Sequence, residues 1–225
     1  MFRKKNRSII VSYIALRRLI GILGMLLPFI CILGGFVFAA LCVEPSISFY
    51  YHTNMRDFFV GLLFGVSLFL ITYKGYELID NIVTTASALA GFGVAVFPCL
   101  YSSTSTRPVG IFQVSPQASN TVHIACAAAF FFLLAVNSIF LFTLSKKKNA
   151  VSTKNKRIRN WIYRICGIII LASIAALVAL FLLMPPEQID EYRLVLVFET
   201  IMLLAFGVSW LVKGETLFRD KPRVS

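Results

Sequence analysis

Acidic residues are scarce in this chain. Ten Asp and Glu stand against 22 Lys and Arg among 225 residues, and only 14% of the chain is charged. Histidine is rarer still, with two copies, His52 and His123. No polar stretch between apolar runs exceeds about twenty residues, which leaves no room for a separate soluble domain. The sequence has no Cys-x-x-Cys pair, no glycine-rich phosphate cradle and no haem-attachment motif. Those absences set aside thiol redox pairs, phosphate-loop nucleotide chemistry and covalent haem. The net charge of +12 would suggest nucleic acid in a soluble protein. Here the basic residues lie in the gaps between apolar runs, with no recognisable nucleic-acid-binding fold around them, so no nucleic-acid partner is expected.

Apolar residues are what the chain has in excess. They make up 58% of it, where a soluble domain carries ~45–50%. The bilayer is therefore the expected solvent. Six apolar segments run over 19–42, 57–73, 81–99, 121–144, 164–184 and 194–212. Crossing ~30 Å of hydrocarbon takes ~20 helical residues, so the second segment is short, and the first and fourth are long enough to tilt. The first is too long for a signal peptide and lacks a small-residue cleavage site, so it reads as a retained helix. The fold class expected is all-α: one six-helix transmembrane bundle over 1–225.

Orientation follows from the basic residues. With the N-terminus on the cytoplasmic side, all of the 22 Lys and Arg except Arg56, Arg107 and Arg193 fall on that side. The positive-inside rule then puts both termini in the cytoplasm, and a bacterial cytoplasmic membrane is the expected location. Trp161, Tyr163 and Trp210 are expected at the inner interface, Tyr101 and Tyr192 at the outer. The stretch "SKKKNAVSTKNKRIRN", 145–160, is the expected contact with anionic lipid. Lys74-Gly75 and Lys213-Gly214 read as helix ends with left-handed glycine caps. The third segment, "TTASALAGFGVAVFP", is rich in small residues and is expected to be central, packed against the outer half of the fourth.

The stretch "SISFYYHTNMRDFFVG", Ser46 to Gly61, is polar against this background. The topology puts it on the extracytoplasmic side, at the depth of His123 and Glu199. Glu199 lies five residues into its segment, ~7–8 Å along a helix. A carboxylate there is costly and calls for a partner or a cavity. A pocket built from Ser46, Ser48, Tyr50, Tyr51, His52, Arg56, Asp57, His123 and Glu199 is therefore expected. Nothing comparable is expected to be buried on the inner side, where Glu77, Asp80, Glu215 and Asp220 read as interfacial. Within the pocket His52, His123, Asp57 and Glu199 carry the donor types of an open zinc shell. Ser48, His52, Asp57 and Glu199 are the candidates for nucleophilic or acid–base chemistry. Cys42 and Cys99 both fall near outer helix ends, where a disulfide is permitted.

"SISFYYHTNMRDFFVG", "YKGYELIDN", "GVAVFP" and "AFGVSWLVKGE", in this order, resemble a widespread set of bacterial six-span membrane proteins. The likeness runs from "SYIALRRLIGILG" to "VKGE" and implies a fold, not an activity. More remotely, polar residues in the first outer loop of a six-span bundle look like the DRAM and Sfk membrane-protein group, which implies no catalysis. Ser48, Asp57, His52 and His123 look like parts of the alkaline ceramidase and progestin-receptor superfamily, which implies zinc-dependent hydrolysis of lipid amides. That superfamily has a paired His-x-x-x-His near the C-terminus and usually seven spans. This chain has neither. The expected function is binding or sensing a lipid or small polar ligand on the extracytoplasmic side. The alternative is a metal-dependent lipid hydrolase. A transporter fits less well, since few polar residues cross the midplane beyond Ser67, Ser87, Asn137 and Ser209.

Overall fold

Each helix starts and stops where its local chemistry requires. The structure, a computed structural model, describes residues 2–38, 43–75, 77–144 and 153–218. Helix α1 (Phe2–Phe38) leads through the first loop, with a short 3-10 turn at Ser48–His52, to α2 (Arg56–Thr72). α3 (Leu78–Val96) stops two residues short of Pro98. The Ser115 hydroxyl accepts from the Ala118 N–H and Pro116 takes the first turn of α4 (Pro116–Val136), where a missing N–H costs nothing. α4 continues into a π turn over Asn137–Leu141, closed by the Phe142 N–H on the Asn137 carbonyl at 2.9 Å. α5 (Lys154–Leu183) is capped by the Thr153 hydroxyl, which accepts from the Lys156 N–H. Pro185 and Pro186 turn the chain into a short α6 (Pro186–Glu191), and α7 (Leu194–Lys213) completes the set.

The fold is all-α. Among the described residues no strand forms, and Val109 and Val114 make one isolated bridge. Five helical stretches are long and apolar enough to cross a membrane: Tyr13–Phe38, Leu78–Val96, Pro116–Leu141, Lys154–Leu183 and Leu194–Lys213. α2, at 17 residues, is shorter than these. Large apolar side chains such as Phe29, Leu68, Leu89, Phe132, Val178 and Leu182 face outward all round the bundle, the pattern of a surface solvated by lipid.

α7 is the most buried of these five helices, and α3 is next. α1 and α7 come together backbone to backbone: a Cβ on Gly21 would sit 2.8 Å from the Gly207 carbonyl, and one on Gly207 equally close to the Gly21 carbonyl. α3 and α4 pack together, with Gly91 against Phe130 and Gly93 against Cys126. α4 and α5 meet at Gly167, whose Cβ position is 3.0 Å from the Ala135 carbonyl.

Several sequence expectations change here. Gly214 has φ −76°, and the one glycine with positive φ among the described residues is Gly110, so neither Gly75 nor Gly214 is a left-handed cap. Both serve close packing instead: a Cβ at Gly214 would stand 2.8 Å from Arg18 Cγ, and one at Gly75 would collide with Asp80. From Lys154 onward the basic stretch is the first turns of α5, because Thr153 caps it; residues 145–152 lie outside the described residues. Trp210 and Tyr163 are buried in the core, while Trp161, Tyr101 and Tyr192 are exposed.

The end of the bundle where α1 and α7 bring Arg17 and Lys213 together also holds buried charge, against expectation. Arg17, Asp80 and Lys213 are all less than a tenth exposed. Arg17 donates to the Lys213 carbonyl at 3.3 Å and lies over the Tyr13 and Tyr73 rings. Lys213 donates to the Phe142 carbonyl at 3.1 Å and faces the Phe142 and Tyr163 rings. Long cationic side chains can bury their stems in this way when carbonyls and ring faces receive the heads. Asp220 lies outside the described residues.

Candidate functional site: a lateral cleft that ends on Glu199

Glu199 sits in the second turn of α7, 9% exposed. Its carboxylate does not pair with a cation of the first loop. It receives backbone and hydroxyl donors: the Ile47 N–H on Oε2 at 2.6 Å and the Ser48 hydroxyl on Oε1 at 3.2 Å. Two more bonds fasten the same loop to the start of α7, from the Leu196 N–H to the Pro45 carbonyl at 3.0 Å and from Arg193 Nε to the Val43 carbonyl at 2.9 Å. The loop is thereby folded down onto α7 instead of standing off in water.

Beside Glu199 a cleft of about 450 Å³ opens. α4 and α5 touch at Gly167, and the cleft lies between the N-terminal half of α4 and the C-terminal half of α5. Its walls are Ile124, Ala127, Ala128 and Phe131 on α4, Ile174, Leu177, Val178 and Phe181 on α5, and Val195 and Met202 on α7. Its polar end is made by Ser46, Ser48, Asn120, His123 and Glu199, with Cys99 alongside. From Asn120 to Phe131 the α4 wall covers ~16 Å at 1.5 Å per residue, about half the ~30 Å hydrocarbon thickness. A second void, of about 30 Å³, also reaches Glu199 and is lined by Leu27, Phe59, Leu63, Phe130 and Leu203 among others, room for about one water by volume.

The polar groups of the cleft are already oriented. His123 is 4% exposed, and its Nδ1 is 2.7 Å from the Phe97 carbonyl. A carbonyl only accepts, so Nδ1 carries the proton and Nε2 is the acceptor of the neutral ring. Asn120 Oδ1 accepts from the Leu100 N–H at 2.9 Å, leaving its NH₂ as donor. Ser46 Oγ accepts from the Phe49 N–H at 3.0 Å. Burial pushes the Cys99 thiol up to about 12, and the charge of Glu199 adds to the effect.

Four of the nine expected pocket residues line the cleft: Ser46, Ser48, His123 and Glu199. The other five serve elsewhere. Tyr50 is fully buried in the core, its hydroxyl accepting from the Glu44 N–H. Tyr51 receives Arg56, both at its hydroxyl, at 2.8 Å, and across its ring. His52 Nε2 bonds the Cys99 carbonyl at 2.8 Å, with the ring packed among Phe49, Tyr51 and Tyr101. Asp57 is exposed in the first turn of α2.

The expected zinc shell of His52, His123, Asp57 and Glu199 is not assembled. Among the described residues no three His, Cys, Asp or Glu side chains are grouped to hold a metal. Both histidines spend a ring nitrogen on a backbone carbonyl, and the Glu199 oxygens face the first loop. Ser48 donates to Glu199, which leaves the expected Ser48–His52 nucleophile and base unconnected in this structure. Cys42, the other half of the expected disulfide, lies outside the described residues.

The chain matches no family model, no curated protein and no solved structure. The resemblances drawn from short motifs therefore gain no support from these comparisons, and the site rests on its own geometry. What the sequence missed is Asn120 and the apolar walls. Asn120 stands one helical turn before His123 and so shares its face, a spacing that would have singled it out.

Proposed function

We propose that this is a six-span protein of a bacterial cytoplasmic membrane, with both termini cytoplasmic, and that it binds a lipid-like amphiphile from the outer leaflet in the cleft between α4 and α5. The observation that carries this reading is the shape and lining of the cleft. An apolar trough about one leaflet long ends on a small set of fixed polar groups, the arrangement a chain with a polar head requires. α2, ~25 Å long at 1.5 Å per residue, supplies the sixth crossing, and the distribution of Lys and Arg supplies the orientation. Lys154, Lys156, Arg157 and Arg159 at the start of α5 suit contact with anionic lipid of the inner leaflet.

No feature of the site favours hydrolysis of the amphiphile. A nucleophile needs a base within hydrogen-bond reach, and the Ser48 hydroxyl is spent on the carboxylate that anchors its own loop. Binding is the function the geometry supports.

The test is photolabelling of the full chain in phosphatidylcholine nanodiscs with a lipid carrying a diazirine on its acyl chain. Labels are expected on residues 124–131 and 174–181 above the level on the outward face of α2. Ala128→Trp, which fills the trough at an exposed alanine, is expected to abolish the excess. Equal labelling of all lipid-facing helices would remove the cleft as a binding site.

A further inference from the structure

Resting on the cleft as a binding site for an amphiphile, we infer the chemistry of its head: a hydroxyl or amine that donates hydrogen bonds, preferred over a sulfate, phosphate or carboxylate.

The polar end of the cleft is rich in acceptors. A carboxylate offers about four acceptor positions, and those of Glu199 are filled in part, by the Ile47 N–H on one oxygen, the Ser48 hydroxyl on the other and the Ser48 backbone N–H as a third donor. His123, with its Nδ1 proton on Phe97, presents an acceptor at Nε2. Ser48 gives its proton to Glu199 and keeps its oxygen lone pairs. Against these stand two donors, the Asn120 NH₂ and the Ser46 O–H, whose heavy-atom partners Leu100 and Phe49 use only their oxygens.

Cations are held elsewhere. Among the described residues no Lys or Arg lines the cleft. Arg193 donates to the Val43 carbonyl and Arg56 to Tyr51. An anionic head would bring acceptors to acceptors, with no cation in the lining to balance its charge. A head with hydroxyl or ammonium protons would meet acceptors, and its own oxygen would suit the Asn120 NH₂. Selection of this kind works by leaving the wrong head unpaired as much as by binding the right one.

Three photoreactive amphiphiles of identical chain length decide the matter, an alkyl amine, an alkyl alcohol and an alkyl sulfate, each in phosphatidylcholine nanodiscs holding the full chain. Peptide-resolved labelling of 124–131 and 174–181 is divided by labelling of the outward face of α2, which corrects for partitioning into the bilayer. The amine and alcohol are expected to exceed the sulfate by about tenfold, a difference of ~1.4 kcal/mol in binding. A sulfate ratio equal to or above the other two overturns the head assignment while leaving the cleft as an amphiphile site. If all three ratios are one, the cleft reading itself has failed and the head assignment falls with it.

Discussion

The Glu199 carboxylate and the Ile47 backbone N–H meet at 2.6 Å across 152 residues of sequence. With Ser48 on the second oxygen, this contact fixes the first loop against α7 and sets the polar end of the cleft. Hydrogen bonds to charged groups contribute ~1.5–3 kcal/mol each. Glu199→Ala is therefore expected to lower stability by ~2–3 kcal/mol, read as thermal unfolding in detergent. Glu199→Gln keeps one acceptor oxygen and should cost less. Amide exchange at Ile47 and Ser48 distinguishes an anchor from a bystander: protection should drop in both variants. Unchanged protection in Glu199→Ala would show that the loop is held by other contacts.

The glycines of α1 and α7 predict a sharp contrast. Gly21 and Gly207 face one another so closely that each Cβ position is 2.8 Å from the other's carbonyl. Gly207→Ala also displaces Met25, a flexible side chain, but the backbone oxygen cannot yield in the same way. Overpacking of this kind costs ~1–3 kcal/mol, so Gly21→Ala and Gly207→Ala should each lower the unfolding temperature. Gly61 on α2 has nothing within 4 Å of a built Cβ, and Gly61→Ala is expected to leave stability unchanged or slightly raised. Three equal melting curves would contradict the close α1–α7 approach.

These contacts show what could be read in the sequence and what could not. A lone carboxylate within an apolar run announces itself because its burial requires donors, and Glu199 was found that way. Its donors were not, since Ile47 contributes a backbone N–H and every residue but proline has one. The cleft walls were invisible for a related reason. Ile174, Leu177, Val178 and Phe181 recur at helical spacing and look the same whether they face lipid or a trough; only the separation of α4 from α5 beyond Gly167 makes them a wall. Gly75 and Gly214 were misread because a glycine after a helix serves backbone freedom or close packing, and sequence position alone does not say which. Arg17 and Lys213 were counted only as basic residues of the cytoplasmic side, although aromatic faces and carbonyls let them bury.

Lys213 offers a test of that buried charge. Its Nζ donates to the Phe142 carbonyl at 3.1 Å, and its stem packs near Phe142 and Tyr163. Lys213→Met preserves much of the stem and removes the donor, with an expected loss of ~1–2 kcal/mol. Lys213→Ala removes both, with an expected loss of ~2–4 kcal/mol. Equal stability of both variants and the unaltered protein would place the ammonium in water.

The proposed orientation is checked by thiol labelling in intact cells. The loop between α3 and α4 contains Ser103, and the start of α5 contains Lys154. With six spans and cytoplasmic termini, Ser103→Cys reacts with a membrane-impermeant maleimide from outside, and Lys154→Cys reacts only after permeabilisation. The reverse pattern would invert the whole assignment, and would move the cleft to the cytoplasmic leaflet.

Cys99 reports on the cleft from its polar rim. Burial and the neighbouring Glu199 charge hold its thiol up at about 12, against ~8.5 for a free cysteine. The thiolate is the nucleophile, so a raised value keeps the reactive form scarce and lets its share grow tenfold per pH unit until the pKa is reached. After reduction, peptide-resolved alkylation of Cys99 by iodoacetamide should therefore climb without levelling from pH 7 to 10.5. An ordinary exposed thiol levels near pH 9. A plateau there would mean that water reaches the sulfur freely and that the polar end of the cleft is open to bulk solvent, which would weaken the case that a head group is desolvated at that position.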